Sequence, residues 1–215
     1  MPDLAARLAD AMERGVLAEG RPAVCALGAI GAAAAPAVPL LRRFAASDDA
    51  AADLAVRALL TITGDRRIAD DYLDARPDKP RRCRIASDLF DWLAQHGGLT
   101  DRQVRQLNHL FTQRGWTQAK LATAYWRHHG PPAAPMLLST LPQYLDDDAY
   151  AQPAMKALAA MGPHAQPVIP VLDRLIGARH RVGINLGDAD AEMRVDEQLL
   201  QLALITRAQI IATPV

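Results

Sequence analysis

Residues 26–41 read ALGAIGAAAAPAVPLL, and residues 157–172 read ALAAMGPHAQPVIPVL. Both segments carry a glycine at the same place, Gly31 and Gly162, followed at the same distances by two prolines and an apolar run. Alanine and leucine before the glycine favour a helix. The glycine favours the end of that helix because it adopts a positive φ without a Cβ penalty. Since proline is tolerated in the first turn of a helix, each segment predicts two helices joined by a turn.

Glycines that end helical patterns recur along the whole chain. They are Gly31, Gly64, Gly97, Gly130 and Gly162, with spacings of 33, 33, 33 and 32 residues. A large apolar side chain lies four residues before each glycine: Leu27, Leu60, Leu93, Trp126 and Leu158. One helical turn earlier the chain has Ala23, Val56, Leu89, Ala122 and Ala154. A spacing of four places both residues on one helix face, which we expect to be buried.

This period predicts an all-α chain whose helix pairs stack into a right-handed α-solenoid. We expect one domain, residues 1–215, containing six antiparallel helix pairs. Their predicted bounds are residues 2–31, 32–64, 65–97, 98–130, 131–162 and 163–215. Thr100 and Gln103 form a predicted capping box at a helix start. In the last pair, we expect an inserted loop at residues 181–190 and a closing helix at residues 191–212.

The segments 26–41 and 157–172 resemble the HEAT repeat, and in particular its short bacterial form, also called the phycobilisome-lyase-type repeat. The middle repeats match this family in period only. The family usually carries Val-Arg early in the second helix, whereas Asp53 and Ala151 stand at the corresponding arginine positions here. The resemblance implies a non-catalytic scaffold or adaptor that binds another protein along its solenoid surface.

Composition narrows the functional classes. Half of the 215 residues are hydrophobic and 22% are charged, which excludes a disordered chain. The net charge is zero, so the whole molecule has no general attraction for nucleic acid or an anionic membrane. No signal peptide pattern is visible, and glycines and prolines interrupt the apolar stretch 23–41. We therefore expect no membrane span and a cytoplasmic location.

No catalytic or cofactor-binding constellation is evident. Cys25 and Cys83 have no companions at metal-ligand spacing, and we expect both to be buried or half-buried thiols. His128 and His129 are adjacent, so on a helix they point about 100° apart and do not share a metal easily. They precede Gly130, where a helix dipole favours positive charge. The sequence predicts no enzyme activity, no metal and no cofactor.

Two segments are candidates for recognition of a partner. The first is the basic stretch 76–84, RPDKPRRCR, in which two prolines favour a stiff exposed loop. Its candidate binding residues are Arg76, Lys79, Arg81, Arg82 and Arg84. The second is the inserted loop 181–190, since insertions in repeat proteins often lie on the binding face. Its candidates are Arg181, Asn185 and Asp188.

Nucleic-acid binding is the alternative, as in the DNA glycosylases that the HEAT-like fold also hosts. Between residues 66 and 127 there are twelve Lys or Arg against seven Asp or Glu. The middle repeats also carry arginines near aromatic residues, a combination that contacts phosphates and stacks on bases. Those residues are Arg102, Arg105, Arg114, Lys120 and Arg127, with Trp116, Tyr125 and Trp126. A protein partner remains the favoured prediction, because a run of charge is usually a solvated surface.

Overall fold

The computed structural model describes residues 2–14, 17–46, 52–75, 83–113, 116–147, 149–178 and 189–212. All regular structure in these ranges is helical, without a strand. Alanine and leucine are abundant, and alternating runs of β-branched residues are nearly absent. This amino-acid composition accounts for the helical structure. The prediction of an all-α chain is confirmed.

The chain divides into two compact units, Met1–Leu89 and Phe90–Val215. The first unit contains five complete α-helices and the beginning of a sixth, which crosses the division. In chain order these are α1 Pro2–Glu13, α2 Leu17–Ile30, α3 Val38–Ala45, α4 Ala52–Thr63, α5 Arg66–Ala75 and α6 Cys83–Gln95. A 3-10 segment, Gly31–Ala37, connects α2 to α3.

The second unit contains the remaining six α-helices. They are α7 Asp101–Thr112, α8 Trp116–His129, α9 Ala134–Thr140, α10 Ala151–Met161, α11 Ile169–Gly177 and α12 Ala189–Ala212. Three 3-10 segments join the helices of this unit, Pro131–Ala133, Leu141–Tyr144 and Gly162–Val168.

Helices within each unit pack mainly on their neighbours along the chain. In the first unit α2 packs on α1 and on α4, and α4 also packs on α3 and α5. In the second unit α10 lies between α8 and α12, while α7 packs on α8 and α11 on α12. The core of the first unit includes Val24, Leu27, Leu41, Phe44 and Leu59. Helices α2 and α4 approach so closely that a Cβ added at Gly28 would lie 3.2 Å from the Cβ of Ala58.

The five periodic glycines follow helix ends, as predicted. Each has a positive φ, at 68° for Gly31, 63° for Gly64, 101° for Gly97, 63° for Gly130 and 54° for Gly162. Within the described ranges no residue other than glycine has a positive φ. At these glycines the backbone therefore adopts a positive φ that would strain a residue with a Cβ. The glycine spacing correctly predicts the helix ends.

The apolar residues before these glycines form the buried helix face, with one exception. Nine of the ten predicted positions are at most 4% exposed, namely Ala23, Leu27, Val56, Leu60, Leu89, Leu93, Ala122, Ala154 and Leu158. Trp126 was predicted at the same core position but is only half-buried. Its indole Nε1 donates a hydrogen bond to the carbonyl of Ala160 over 2.8 Å, in the last turn of α10. This bond serves a carbonyl that has no intrahelical partner, and it explains why the ring edge reaches the surface.

Helix starts follow the predicted signals. Pro39, Pro135 and Pro170 are the second residues of α3, α9 and α11. At the start of α7 the capping box is present, because Gln103 N–H donates to the Thr100 hydroxyl and Thr100 N–H donates to the Gln103 side chain. The prediction of this capping box is confirmed.

Within the described residues one helical stretch, Gly20–Ala45, is long and apolar enough to cross a membrane by length and composition. These two criteria do not decide the matter, and the expectation of no membrane span stays a prediction. The same stretch supplies core residues to the first unit, and 28% of its apolar window is buried. Prolines interrupt it at Pro22 and Pro36, yet the chain remains helical through α2, the 3-10 segment and α3.

Candidate partner-binding surface

The two predicted recognition segments lie almost entirely outside the described residues. The residues concerned are Arg76, Lys79, Arg81 and Arg82 of the basic stretch and Arg181, Asn185 and Asp188 of the inserted loop. Their part in binding stays a prediction.

The basic stretch is shorter as a loop than predicted. Helix α6 begins at Cys83, so the backbone of Arg84 is helical. After Pro80 the chain has neither proline nor glycine before Gly97, and Ile85 is 1% exposed in the first turn of α6. Burial of this apolar residue favours an early helix start over a longer loop.

The inserted loop also ends earlier than predicted. Helix α12 begins at Ala189, so Asp190 belongs to the helix and not to the loop. Asp190 and Glu192 lie in the first helical turn, where acidic side chains interact favourably with the helix dipole. The sequence identified these acids but placed the helix start two residues too late.

The basic residues proposed for nucleic-acid binding are described only in part, and their role stays a prediction. Arg102 and Arg105 are exposed and lie three residues apart on α7. Lys120 is half-buried on α8, Arg114 lies outside the described residues, and nothing is described of the Trp116 side chain.

Arg127 instead joins a cluster of charges from three helices. Its Nε lies 3.1 Å from Oδ1 of Asp91 on α6, and Nζ of Lys156 on α10 lies 3.1 Å from Oδ2 of the same carboxylate. We call Asp91, Arg127 and Lys156 the three-helix ion cluster. The Asp91 side chain is 13% exposed, against 31% for Arg127 and 61% for Lys156. One carboxylate thus faces two cations, which leaves a net charge of +1.

Sequence reasoning missed two members of this cluster. Asp91 lies six residues before Gly97, and Lys156 lies six residues before Gly162. The signal was therefore available, because opposite charges occupy the same register of two helix-ending patterns. It was not decisive, since register alone does not show which helix surfaces are neighbours.

An aromatic contact adjoins the cluster. The Trp126 and His164 rings have centroids 5.3 Å apart, tilted by 53°. Trp126 precedes Arg127 in α8, and the exposed His164 lies in the 3-10 segment after α10. Since the indole N–H is already bonded to Ala160, this tryptophan helps to join α8 to α10.

A second group of rings lies where α7 meets α8. Tyr125 stacks on Phe111 with centroids 4.2 Å apart, and it contacts the ring of His129 at 4.3 Å. Nε2 of His129 lies 2.9 Å from Oδ1 of Asn108, and with its proton on Nε2 the imidazole donates there to the amide oxygen. Burial lowers the pKa of His129 from its ordinary value, and the neighbouring His128 lowers it further. This direction is opposite to the one expected from the helix dipole, because desolvation disfavours the charged ring.

The same ring pairing occurs 33 residues earlier. Trp92 and His96 stack with centroids 4.2 Å apart at the end of α6, in the register of Tyr125 and His129 in α8. Nδ1 of His96 lies 2.8 Å from the carbonyl of Trp92, which accepts its hydrogen bond. These histidines therefore have structural partners near the ends of their own helices.

The thiol of Cys25 differs from expectation. It is exposed, where the sequence predicted a buried or half-buried side chain. It lines an open groove between α2 and α4, together with Val24, Ala29 and Leu54. The side chain of Cys83 is not described. Across the described ranges no group of three or more His, Cys, Asp or Glu residues is arranged to hold a metal ion.

Exposed large apolar side chains are concentrated on α12. Four of the six in the described part of the chain belong to it, at Met193, Leu204, Ile205 and Ile211. An open groove also runs along α12 beside Gln152. The closing helix thus presents several large apolar side chains to solvent.

Comparison with known protein families, with curated protein sequences and with solved structures finds no match to this chain.

Proposed function

We propose that this protein is a non-catalytic scaffold or adaptor that binds another protein. In this proposal its helix pairs are HEAT-like repeats of about 33 residues, stacked into a right-handed α-solenoid. The observation that carries the proposal is the pattern of helix packing. In each unit, the substantial contacts of a helix are with its own pair or with the next pair along the chain.

The stacking of every second helix adds support. Helices α2 and α4 pack on each other in the first unit, and α8, α10 and α12 form a continuous series in the second. A repeat array gives this arrangement, because each pair buries its apolar face only on its neighbours. Within each unit, successive helices then present a continuous surface to a partner.

Charged side chains on these helices give that surface a specific pattern. Arg57 of α4 pairs with Asp88 of α6 in the first unit, at 3.2 Å. Asp91 pairs with Arg127 and Lys156 in the second. Fixed charges on a packed surface favour selection of one partner over others, mainly by excluding like charges.

Affinity capture of the tagged protein from its source lysate, with and without nuclease, tests this function. We expect one stoichiometric protein to be retained after nuclease treatment and at moderate salt. Loss of all bound material on nuclease treatment, or a steep fall with salt, would instead support the nucleic-acid alternative.

A variant of the predicted basic stretch, residues 76–84, tests in the same experiment whether this stretch contacts the partner. Replacement of Arg81, Arg82 and Arg84 by serine should release the captured protein if this stretch is the contact. The matched control replaces Arg42 and Arg43, which are exposed at the end of α3, by serine. Retention of the partner by the triple variant would remove the basic stretch from the binding surface and leave the scaffold function standing.

A further inference from the structure

The three-helix ion cluster contains an unusual carboxylate oxygen. Oδ1 of Asp91 is buried, and within the described ranges it is the one such side-chain atom without a hydrogen bond. Nε of Arg127 is close enough for an ion pair, at 3.1 Å, yet the pair is not aligned as a hydrogen bond. Buried polar groups are nearly always hydrogen-bonded, so an exception in a charged cluster needs an explanation.

The two cations have more capacity than Asp91 uses. A guanidinium has five N–H donors in a flat fork that fits a carboxylate through two parallel hydrogen bonds. Arg127 does not achieve this arrangement with Asp91, and its side chain is 31% exposed. Lys156 is 61% exposed beside it. A second carboxylate approaching from solvent would meet a net positive charge and N–H donors of the kind that bind carboxylates.

The neighbouring rings argue against a nucleic-acid strand at this place. Binding of a strand combines a continuous basic groove with open aromatic faces on which bases stack. The Trp126 indole is bonded to Ala160, and its ring contacts His164. Two cations around one anion are better suited to a single acidic side chain.

We propose that Arg127 and Lys156 form a docking site for an acidic segment of a partner protein, with Asp91 positioning both cations. This inference rests on the proposed scaffold function and names the chemistry of the partner. Asp91 holds the two cations together and, in the absence of the partner, partly neutralises them. An incoming glutamate or aspartate then accepts the hydrogen bonds that the Arg127 guanidinium does not donate to Asp91.

Fluorescence anisotropy with a labelled hexaglutamate peptide tests the site, with hexaglutamine as the uncharged reference. At low salt, about 50 mM, we expect Arg127→Gln and Lys156→Gln each to weaken hexaglutamate binding measurably, by up to about tenfold. The double variant should abolish binding. Arg207→Gln is the matched control, because Arg207 is also a partly exposed arginine in an ion pair between helices, with Asp173. The control should bind as the unchanged protein does.

Asp91→Asn tests whether Asp91 positions the two cations for binding or only stabilises the packing of the helices. Removal of this carboxylate raises the net charge of the site from +1 to +2, which by charge alone would favour hexaglutamate. Because Asp91 holds the two cations together, we instead expect Asp91→Asn to bind hexaglutamate several-fold more weakly. Equal or tighter binding by Asp91→Asn with an intact circular dichroism spectrum would overturn the positioning role. Equal binding by Arg127→Gln, Lys156→Gln and the unchanged protein would overturn the site.

Two further outcomes distinguish the site from the function. A thymidine oligonucleotide of about ten residues that binds more tightly than hexaglutamate, and loses binding in Arg127→Gln, would replace the acidic partner with nucleic acid. A protein captured from lysate that survives the double Arg127→Gln and Lys156→Gln change would refute this site while the scaffold function stands.

Discussion

The chain begins its helix pairs in two different ways. After Gly31 and Gly162 it passes through a 3-10 segment of 7 residues and continues into a short helix, α3 with 8 residues or α11 with 9. After Gly64 and Gly97 it begins a longer helix without proline, α5 with 10 residues or α7 with 12. The first kind is a proline start, and the second is a capped start.

The difference follows from how the backbone N–H groups at a helix start are satisfied. In a capped start a side chain accepts them, as Asp65 does from Arg67 N–H over 3.1 Å and Thr100 from Gln103 N–H. In a proline start there is no side-chain cap, and Pro39 or Pro170 at the second position removes one donor and fixes φ. The segments after these glycines thus satisfy the backbone of the next helix in two ways, while the residues before the glycine stay buried in both.

Truncating the core residue before a glycine should lower the free energy of unfolding by a similar amount, whichever kind of helix start follows. Leu158→Ala precedes a proline start and Leu93→Ala a capped start, and both leucines are fully buried. We expect each to lower the free energy of unfolding by about 2–5 kcal/mol, through lost burial and a residual cavity. Urea denaturation measures both. Leu204→Ala, at 41% exposed, is the control and should cost far less. A loss confined to one of the two leucines would break the equivalence.

The glycine itself should stabilise the fold because its backbone adopts a positive φ, and not because a Cβ would collide with neighbouring atoms. A Cβ at Gly130 meets nothing within 4 Å, yet φ is 63° and ψ is −149°, a region almost restricted to glycine. Gly130→Ala should therefore cost about 1–3 kcal/mol in thermal or urea unfolding. Gly177→Ala is the control, because a Cβ there also meets nothing and φ is not positive. Equal stability of the two variants would contradict the assigned backbone role.

The two kinds of start should respond to different substitutions. Thr100→Ala removes the capping box and should lower the free energy of unfolding by about 0.5–2 kcal/mol, whereas Thr100→Ser should retain most of it. Pro170→Ala should cost only about 0.4–1 kcal/mol, since the proline acts mainly by restricting the unfolded chain. Differential scanning calorimetry compares the three. A larger effect at Pro170 than at Thr100 would reverse the interpretation of the two starts.

Local signals in the sequence were sufficient for most of the secondary structure. The positive φ at Gly31, Gly64 and Gly130, and the capping box at Thr100, depend on residues within one or two turns. A Cβ is strained at a positive φ, and the free N–H and C=O groups at a helix end need hydrogen-bond partners. Both effects depend on a few neighbouring residues, so a short stretch of sequence is enough to predict them. Helix starts at Cys83 and Ala189 were missed by two residues, because burial or a dipole extended the helix into a stretch read as loop.

The candidate docking site was not predictable in the same way. Arg127 was visible as a basic residue, but Asp91 and Lys156 lie 36 and 29 residues from it along the chain. Only the packing of α8 against α10, and the approach of the α6 carboxylate, bring the three charges together. Trp126 shows the same limit, since its sequence position indicated the core while its hydrogen bond to Ala160 holds the indole at the surface.

The sequence by itself determined that this chain is all-α, where the five helices before the periodic glycines end, and which face of those helices is buried. These properties depend on propensity, periodicity and the special backbone of glycine, which act over a few residues. Tertiary structure alone decided which charged side chains meet, which rings remain at the surface, and that Cys25 is exposed. The reason is that such contacts depend on how one helix is rotated and translated against another, and this is fixed by the summed packing of many side chains.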